Sequence, residues 1–180
     1  MNKSDDFYYR MQKMHEALGI SVDYAKEHRL PLCREPENLV DTELDFYQRP
    51  QKLTHDAFKA WTSMKAAATE QGISLFLISA FRGLQYQHDL IKRKLEKGQK
   101  IEQILMVNAA PGFSEHHSGC AVDVGTLGCD ALVADFENTD SFQWLESKAS
   151  AFGFIMSYPR DNPVGIDYEP WHWCFHSEGK

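Results

Sequence analysis

The chain has few of the features that would place it quickly. Nowhere in its 180 residues does an unbroken apolar run approach the roughly 18 that a membrane helix needs. The opening MNKSDDFYYRMQKMHEALGI is also too polar to read as a secretory signal. Basic residues are the minority, 19 against 26 acidic, and a net charge of −7 argues against a nucleic-acid surface. Repeats, low-complexity tracts, a P-loop and a GxGxxG fingerprint are all missing. GFSEH is not a GxSxG nucleophile elbow, and His15-Glu16 begins an HExxH pattern that Gly19 breaks. The four cysteines (Cys33, Cys120, Cys129 and Cys174) form no CxxC pair. They read as mostly reduced thiols, although an even count permits two bridges. With Met1 as the natural start the expected compartment is the cytoplasm; a trimmed export signal would instead place the chain in the periplasm or cell envelope.

What is present is an ordinary globular balance, 43% hydrophobic and 25% charged residues, at a length that suits one domain. Residues 1–53 read as an N-terminal extension packed on the core. In it an amphipathic helix runs from Phe7 to Leu18, and a polar, proline-punctuated segment follows. From Thr54 the pattern sharpens into a core spanning 54–176. Thr54 is a good N-cap, and Phe58, Trp61, Met64 and Ala68 recur at helical spacing until Gly72. ISLFLISAF (73–81) has the composition and length of a strand buried on both faces. Helical period returns in LQYQHDLIKRKLEKG, with Tyr86, Leu90, Ile91 and Leu95 expected inward, and a short helix IEQIL follows. CAVDVG, FIMSY and WHWCFH read as strands, and Asp140 is the expected cap of a helix through Phe142, Leu145 and Ala149. Helices come first and strands interleave with loops later. That order implies an α+β fold with a small, mostly antiparallel sheet flanked by helices.

The chemistry concentrates in SEHHSGCAVD (114–123). His116 precedes a Ser-Gly turn, and strand alternation puts Ala121 and Asp123 on one face, so a hairpin-like return brings His116 beside Asp123. EPWHW (169–173) offers a third ligand. If Trp171, Trp173 and Phe175 pack into the core, His172 faces a cleft together with Cys174 and His176. Glu169 would point the other way in a regular strand, so its use needs a bend at Tyr168–Pro170. Given that bend, two imidazoles and a carboxylate form an open zinc site, with Glu169 placed to move protons. Taken singly, each piece has a plainer explanation. Histidines such as His15, His28, His55, His88 and His176 are ordinarily surface or satisfied core residues. An ExxH spacing alone means little, and an aromatic stripe is usually core.

Together the elements resemble the VanY-type D-alanyl-D-alanine carboxypeptidases, members of the lysostaphin/D-Ala-D-Ala/Hedgehog group of zinc proteins. SEHHSGCAVD fits S-x-H-x-x-G-x-A-x-D, and EPWHW fits E-x-W-H. SAFRGLQYQ (79–87) is similar to the family's S-G-Y-R-S-x-x-x-Q segment through Ser79, Arg82 and Gln87. The resemblance spans residues 73 to 176 and implies a Hedgehog/D-Ala-D-Ala peptidase-like fold. It implies one zinc ion held by His116, Asp123 and His172, with Glu169 as general base. Arg82 would act on the reacting carbonyl or a substrate carboxylate, and Ser114 and Gln87 would contact substrate. His117 falls on a variable position and reads as an outer-shell or surface residue. Ala80, Phe81 and Gly83 depart from the family's commoner Gly, Tyr and Ser, and Cys174 replaces a basic residue.

The implied activity is removal of a terminal D-alanine from peptidoglycan stem peptides or precursors. An L,D-carboxypeptidase or a D-Ala-D-Ala dipeptidase would carry the same core motif. A different class of reading is a non-catalytic binding module, in which Cys174, Cys120 or Cys129 closes a structural zinc site with His116 and His172. Glu169 counts against it, because a structural site has no use for a base. No nucleic-acid partner or membrane span is expected, and the oligomeric state is not encoded legibly.

Overall fold

The computed structural model describes residues 3–177. Two helices open it, α1 (Lys3–Leu18) and α2 (Tyr24–His28), followed by a two-stranded ribbon of β1 (Val40–Asp41) and β2 (Lys52–Leu53). Then come α3 (His55–Glu70), β3 (Phe76–Ser79), α4 (Leu84–Glu96) and α5 (Ile101–Met106). The C-terminal half holds β4 (Ala121–Gly125), α6 (Asp140–Lys148), β5 (Phe154–Met156) and β6 (His172–Phe175). Four strands form one sheet in the order β3-β4-β6-β5, with every pairing antiparallel. Among the described residues no helix is long and apolar enough to cross a membrane.

Two apolar clusters make up the core, one that includes the sheet and one that does not. On one face Leu77, Val122, Val124 and Trp173 pack with Trp61 and Met64 of α3 and Leu145 of α6. Alternation sends the neighbours Ala121, Asp123, His172 and Cys174 to the opposite face. The second cluster joins Phe7 and Met11 of α1 to Leu84 and Ile91 of α4, Ile104 of α5, and Phe113. The polar side of β4 and β6 therefore faces away from the first cluster, and the 3₁₀ turn Glu115–Ser118 lies against β4.

Several local details differ from the periodicity. The Thr54 hydroxyl caps α3 by accepting from the Ala57 amide at 3.4 Å. At α6 the cap is Thr139, which accepts from Phe142 N at 3.1 Å; Asp140 is the first helical residue, where its charge suits the helix N-terminus. Tyr86 is 48% exposed, and Leu84, Gln87 and Ile91 form the buried stripe of α4. β3 is shorter than the apolar run suggests, because Ala80–Gly83 leave the sheet to build the site described below. The helix in the extension begins at Lys3, before Phe7, and the short α2 and the β1–β2 ribbon lacked a periodic signal.

The extension is tied to the core by specific bonds. Cys33 N donates to Gly112 O at 2.7 Å, and the Glu35 carboxylate accepts from Leu84 N, the first amide of α4, at 2.8 Å. A Cβ at Gly83 would sit 2.6 Å from Glu35 Oε1, so a larger residue there would push this carboxylate off the Leu84 amide. Asp45 is fully buried as a side chain and accepts from Tyr47 N, Arg49 N, Arg49 Nε and Gln51 Nε2 at 2.7–2.9 Å. Arg49 Nη2 then donates to Ile78 O and Gln51 Oε1 accepts from Ala80 N, so this knot clamps β3.

Burial alone would raise the Asp45 carboxyl, but its bonds to Arg49 and Gln51 win and hold it below 3.8. A depressed carboxyl stabilises the fold above its unfolded value and loses that contribution as pH falls through the folded value. Asp45→Ala is expected to cost about 1–3 kcal/mol at neutral pH, through the amides and guanidinium it strands. In urea melts the gap to wild type should narrow below about pH 4. A gap that does not change with pH would contradict this account.

Candidate active site

The register of β4 on β6 sets Asp123 directly opposite His172, and the third ligand candidate arrives from a 3₁₀ turn, Glu115–Ser118. Gly119 closes that turn at φ +67, a left-handed conformation that glycine adopts without penalty. Three donor atoms of His116, Asp123 and His172 then lie within 4.8 Å of one another, all buried. His116 Nε2 approaches Asp123 Oδ2 at 3.3 Å, and His172 Nδ1 approaches Asp123 Oδ1 at 3.1 Å. Among the described residues this is the one group with the composition and spacing of a metal site.

The outer nitrogens fix which lone pairs face inward. His116 Nδ1 must donate to the Ala80 carbonyl, 2.6 Å away, which leaves Nε2 as a bare acceptor. That nitrogen is buried and has no hydrogen-bond partner. A lone pair facing a carboxylate oxygen calls for a cation between them, so the residues fit a divalent metal ion. On the other ligand, His172 Nε2 donates to Glu115 Oε2 at 2.9 Å, which turns Nδ1 toward Asp123. Tyr158 packs its ring against His172 at a centroid distance of 4.8 Å and further restrains the imidazole.

Glu115 carried no separate signal in the sequence. It sits inside the motif between Ser114 and His116, but its partner is 57 residues away. A carboxylate behind a ligating histidine sets the tautomer and raises the ligand's basicity.

The adjacent histidines have parallel jobs on one segment. His117 is fully buried, and its Nδ1 bonds the Arg82 carbonyl as His116 Nδ1 bonds that of Ala80. Arg82 N returns a bond to His116 O at 3.2 Å, and Phe81 N donates to Lys52 O. His117 is therefore an interior bolt and not a surface residue.

Glu169 reaches the site through a turn. His172 N donates to Glu169 O at 3.0 Å, with Pro170 at the second turn position that its fixed φ favours. This brings Glu169 Oε2 within 3.8 Å of His172 Nδ1. Burial lifts the Glu169 carboxyl to about 7, Asp123 adds to the rise, and His172 and Arg82 oppose it. Burial and the Arg82 charge lower His116 to about 4. For His172 burial acts the same way, but Asp123 and Glu115 outweigh it and raise the imidazole to about 10.

These groups border a cleft of about 400 Å³, lined among others by Arg82, Lys94, Asn108, Glu169 and Trp171. Arg82 Nη1 lies 3.8 Å from Asp123 Oδ2, and its Nε is buried without a partner. Ser114 is 4% exposed, at the head of the 3₁₀ turn. Gln87 is 1% exposed and its amide donates to Ala109 O at 2.8 Å. Gln87 thus supports the loop leading to Ser114, and neither residue is among those that line the cleft. Cys174 is buried with its thiol beside Glu115, and neither it, Cys120 nor Cys129 joins the His–Asp–His group. A larger cavity of about 630 Å³, lined by Met11, His15, Tyr24 and Phe113 among others, lies elsewhere and holds none of these residues.

An open, buried His–Asp–His set beside a proton-carrying carboxyl group, on the polar face of a small antiparallel sheet, is the layout of a mononuclear metallopeptidase. The chain belongs to the VanY family, D-alanyl-D-alanine carboxypeptidase, whose profile matches residues 50–178. It is 31% identical over 155 residues to YodJ of Bacillus subtilis (strain 168), covering 82% of this chain and 56% of that protein. It is 32% identical over 124 residues to a D-alanyl-D-alanine carboxypeptidase of Enterococcus faecium, covering 67% of this chain and 36% of the relative. The chain thus spans about half or less of the length of these curated relatives. The solved structure of the LD-carboxypeptidase LdcB superposes with a TM-score of 0.70 at 27% identity, covering 78% of this chain and 69% of LdcB.

Replacing Glu115 by glutamine should keep the fold but weaken the hold on His172. The expected result is a 10- to 100-fold loss of metal affinity, on the order found for such outer partners, in a chelator competition. Unchanged affinity would show that Tyr158 and the strand suffice to orient the ring.

Proposed function

We propose that the chain is a zinc-dependent carboxypeptidase that removes the terminal D-alanine from peptidoglycan stem peptides or precursors ending in D-Ala-D-Ala. One observation carries the reading. A carboxyl group poised at about 7 stands beside an open His–Asp–His set, in a cleft that also holds an under-partnered guanidinium. Two imidazoles and one carboxylate suit zinc and leave a fourth position for the reaction. Held by His116, Asp123 and His172, zinc would supply Lewis acidity to the attacking water and to the carbonyl oxygen.

The remaining steps belong to the chain's own groups. Glu169, ionised, takes the proton of the water that attacks the penultimate carbonyl carbon. Now protonated, it delivers that proton to the departing amine as the peptide bond breaks. Burial raises this carboxyl above its ordinary range, which helps it hold the proton between the two transfers. Arg82 offers its free donors to the carbonyl oxygen as charge develops there, or to a substrate carboxylate. Ser114 is the second proposed substrate contact. The closed, structural-zinc alternative is disfavoured because no thiol joins the ligand group among the described residues.

An L,D-carboxypeptidase is the second reading, favoured by the likeness to LdcB. The test is amino-acid release from soluble muramyl pentapeptide and tetrapeptide, with zinc-loaded wild type run beside Glu169→Ala. Wild type should release D-alanine from the pentapeptide, and Glu169→Ala, with equal bound zinc, should be at least about 10²-fold slower. Release from the tetrapeptide alone would replace D,D by L,D specificity. Release from neither, with one zinc bound, would end both readings.

A further inference from the structure

The cleft holds one cation that the reaction above leaves unused. Lys94 stands in the last turn of α4, half-buried, and lines the cleft with Arg82, Asn108, Glu169 and Trp171. On the same helix Lys92 reaches Glu96 at 3.9 Å. Among the described residues no carboxylate stands within ion-pair distance of the Lys94 ammonium. Burial and the neighbouring Arg82 charge both lower its pKa, and Glu169 only partly offsets them.

Two cations line this cavity with the carboxylates of Asp123, Asp167 and Glu169, yet neither cation is closely paired with one of them. Arg82 has a single carboxylate oxygen at 3.8 Å and a buried Nε with no acceptor. A half-buried ammonium without a close carboxylate partner is stabilised when a ligand brings one to it. A helix C-terminus also favours a basic residue, but Arg93 on the same turn already serves from the exposed side. That role would not explain why Lys94 lines the cleft.

We propose that Lys94 binds a free carboxylate of the substrate, and so decides which peptides the cleft holds. The carboxylate is either the terminal one or an acidic side chain within the stem. The inference rests on the reading of the cleft as a peptide site, and it adds a specificity residue outside the metal, base and Arg82 set.

The test is direct binding, which does not need turnover. Zinc-loaded Glu169→Ala protein carrying Lys94, Lys94→Met or Lys94→Arg is titrated calorimetrically with three acetylated peptides ending in D-Ala-D-Ala. The first is neutral apart from its free C-terminus, the second is its C-terminal amide, and the third is a free acid with an added glutamate two residues before the D-alanines. Bound zinc is measured in each protein to confirm an intact fold.

Lys94→Met should weaken at least one carboxylate contrast by about 10-fold, with Lys94→Arg recovering most of it and the amide unaffected. Loss on the free acid relative to the amide assigns the terminal carboxylate. Loss only on the glutamate peptide assigns the side chain. Equal affinities for Lys94 and Lys94→Met would overturn the proposal, as would an equal loss on the amide, or no binding of any carboxylate peptide with Lys94 intact. Binding that depends on Lys94, without D-alanine release by the wild type, would count against the proposed reaction alone.

Discussion

The antiparallel register between β4 and β6 is the constraint on which the rest of the site depends, because it does two things at once. It sets Asp123 across from His172 on the polar face, and Val122 across from Trp173 on the apolar one. A slip of one residue would exchange the faces, driving both metal-facing groups into the aromatic core and the tryptophan into the cleft. The packing of Val122 and Trp173 against α3 and α6 thus holds the chemistry in place, although neither residue touches it. The third ligand is aligned by a separate interlock. His116 and His117 bond alternate carbonyls of Ala80–Arg82, so the histidine turn and the arginine segment move as one body.

The groups gathered on that polar face are individually uncomfortable. Glu169 is hard to ionise, His116 is hard to protonate, and Arg82 and Lys94 lack full complements of acceptors. Such tension collects where a ligand is meant to relieve it. The two apolar clusters and the buried Asp45 knot offset it from a distance. Because Arg49 and Gln51 bond Ile78 and Ala80, the knot steadies the same segment that presents Arg82.

Much of this was legible in residue order, and the exceptions share a cause. Thr54 declared its helix, Gly119 its turn, and SEHHSGCAVD with EPWHW the converging donors, because each of those signals is local. The contact of Glu169 with the site needed a bend that Pro170 made readable. Glu115 and His117 were opaque, since their meaning lies in His172 and in the Arg82 carbonyl, which only the fold brings near. Tyr86 was misjudged on α4, and the burial of Gln87 was missed, because one rotational step decides which residue goes inward. Burial of a glutamine rests on a single acceptor, Ala109 O, that periodicity does not reveal. The short α2 and the β1–β2 ribbon have too few residues to show any period at all.

The carboxylate of Glu35 on the first amide of α4 has a consequence for where the working unit ends. The family profile begins at residue 50, yet the helix that carries Lys94 takes its cap from residue 35. A fragment cut at the profile boundary would keep every ligand and the base. It would also expose the Leu84 amide and loosen the end of α4 that joins the Arg82 segment. The segment ahead of residue 50 therefore belongs to the working unit, although it supplies neither a metal ligand nor the base.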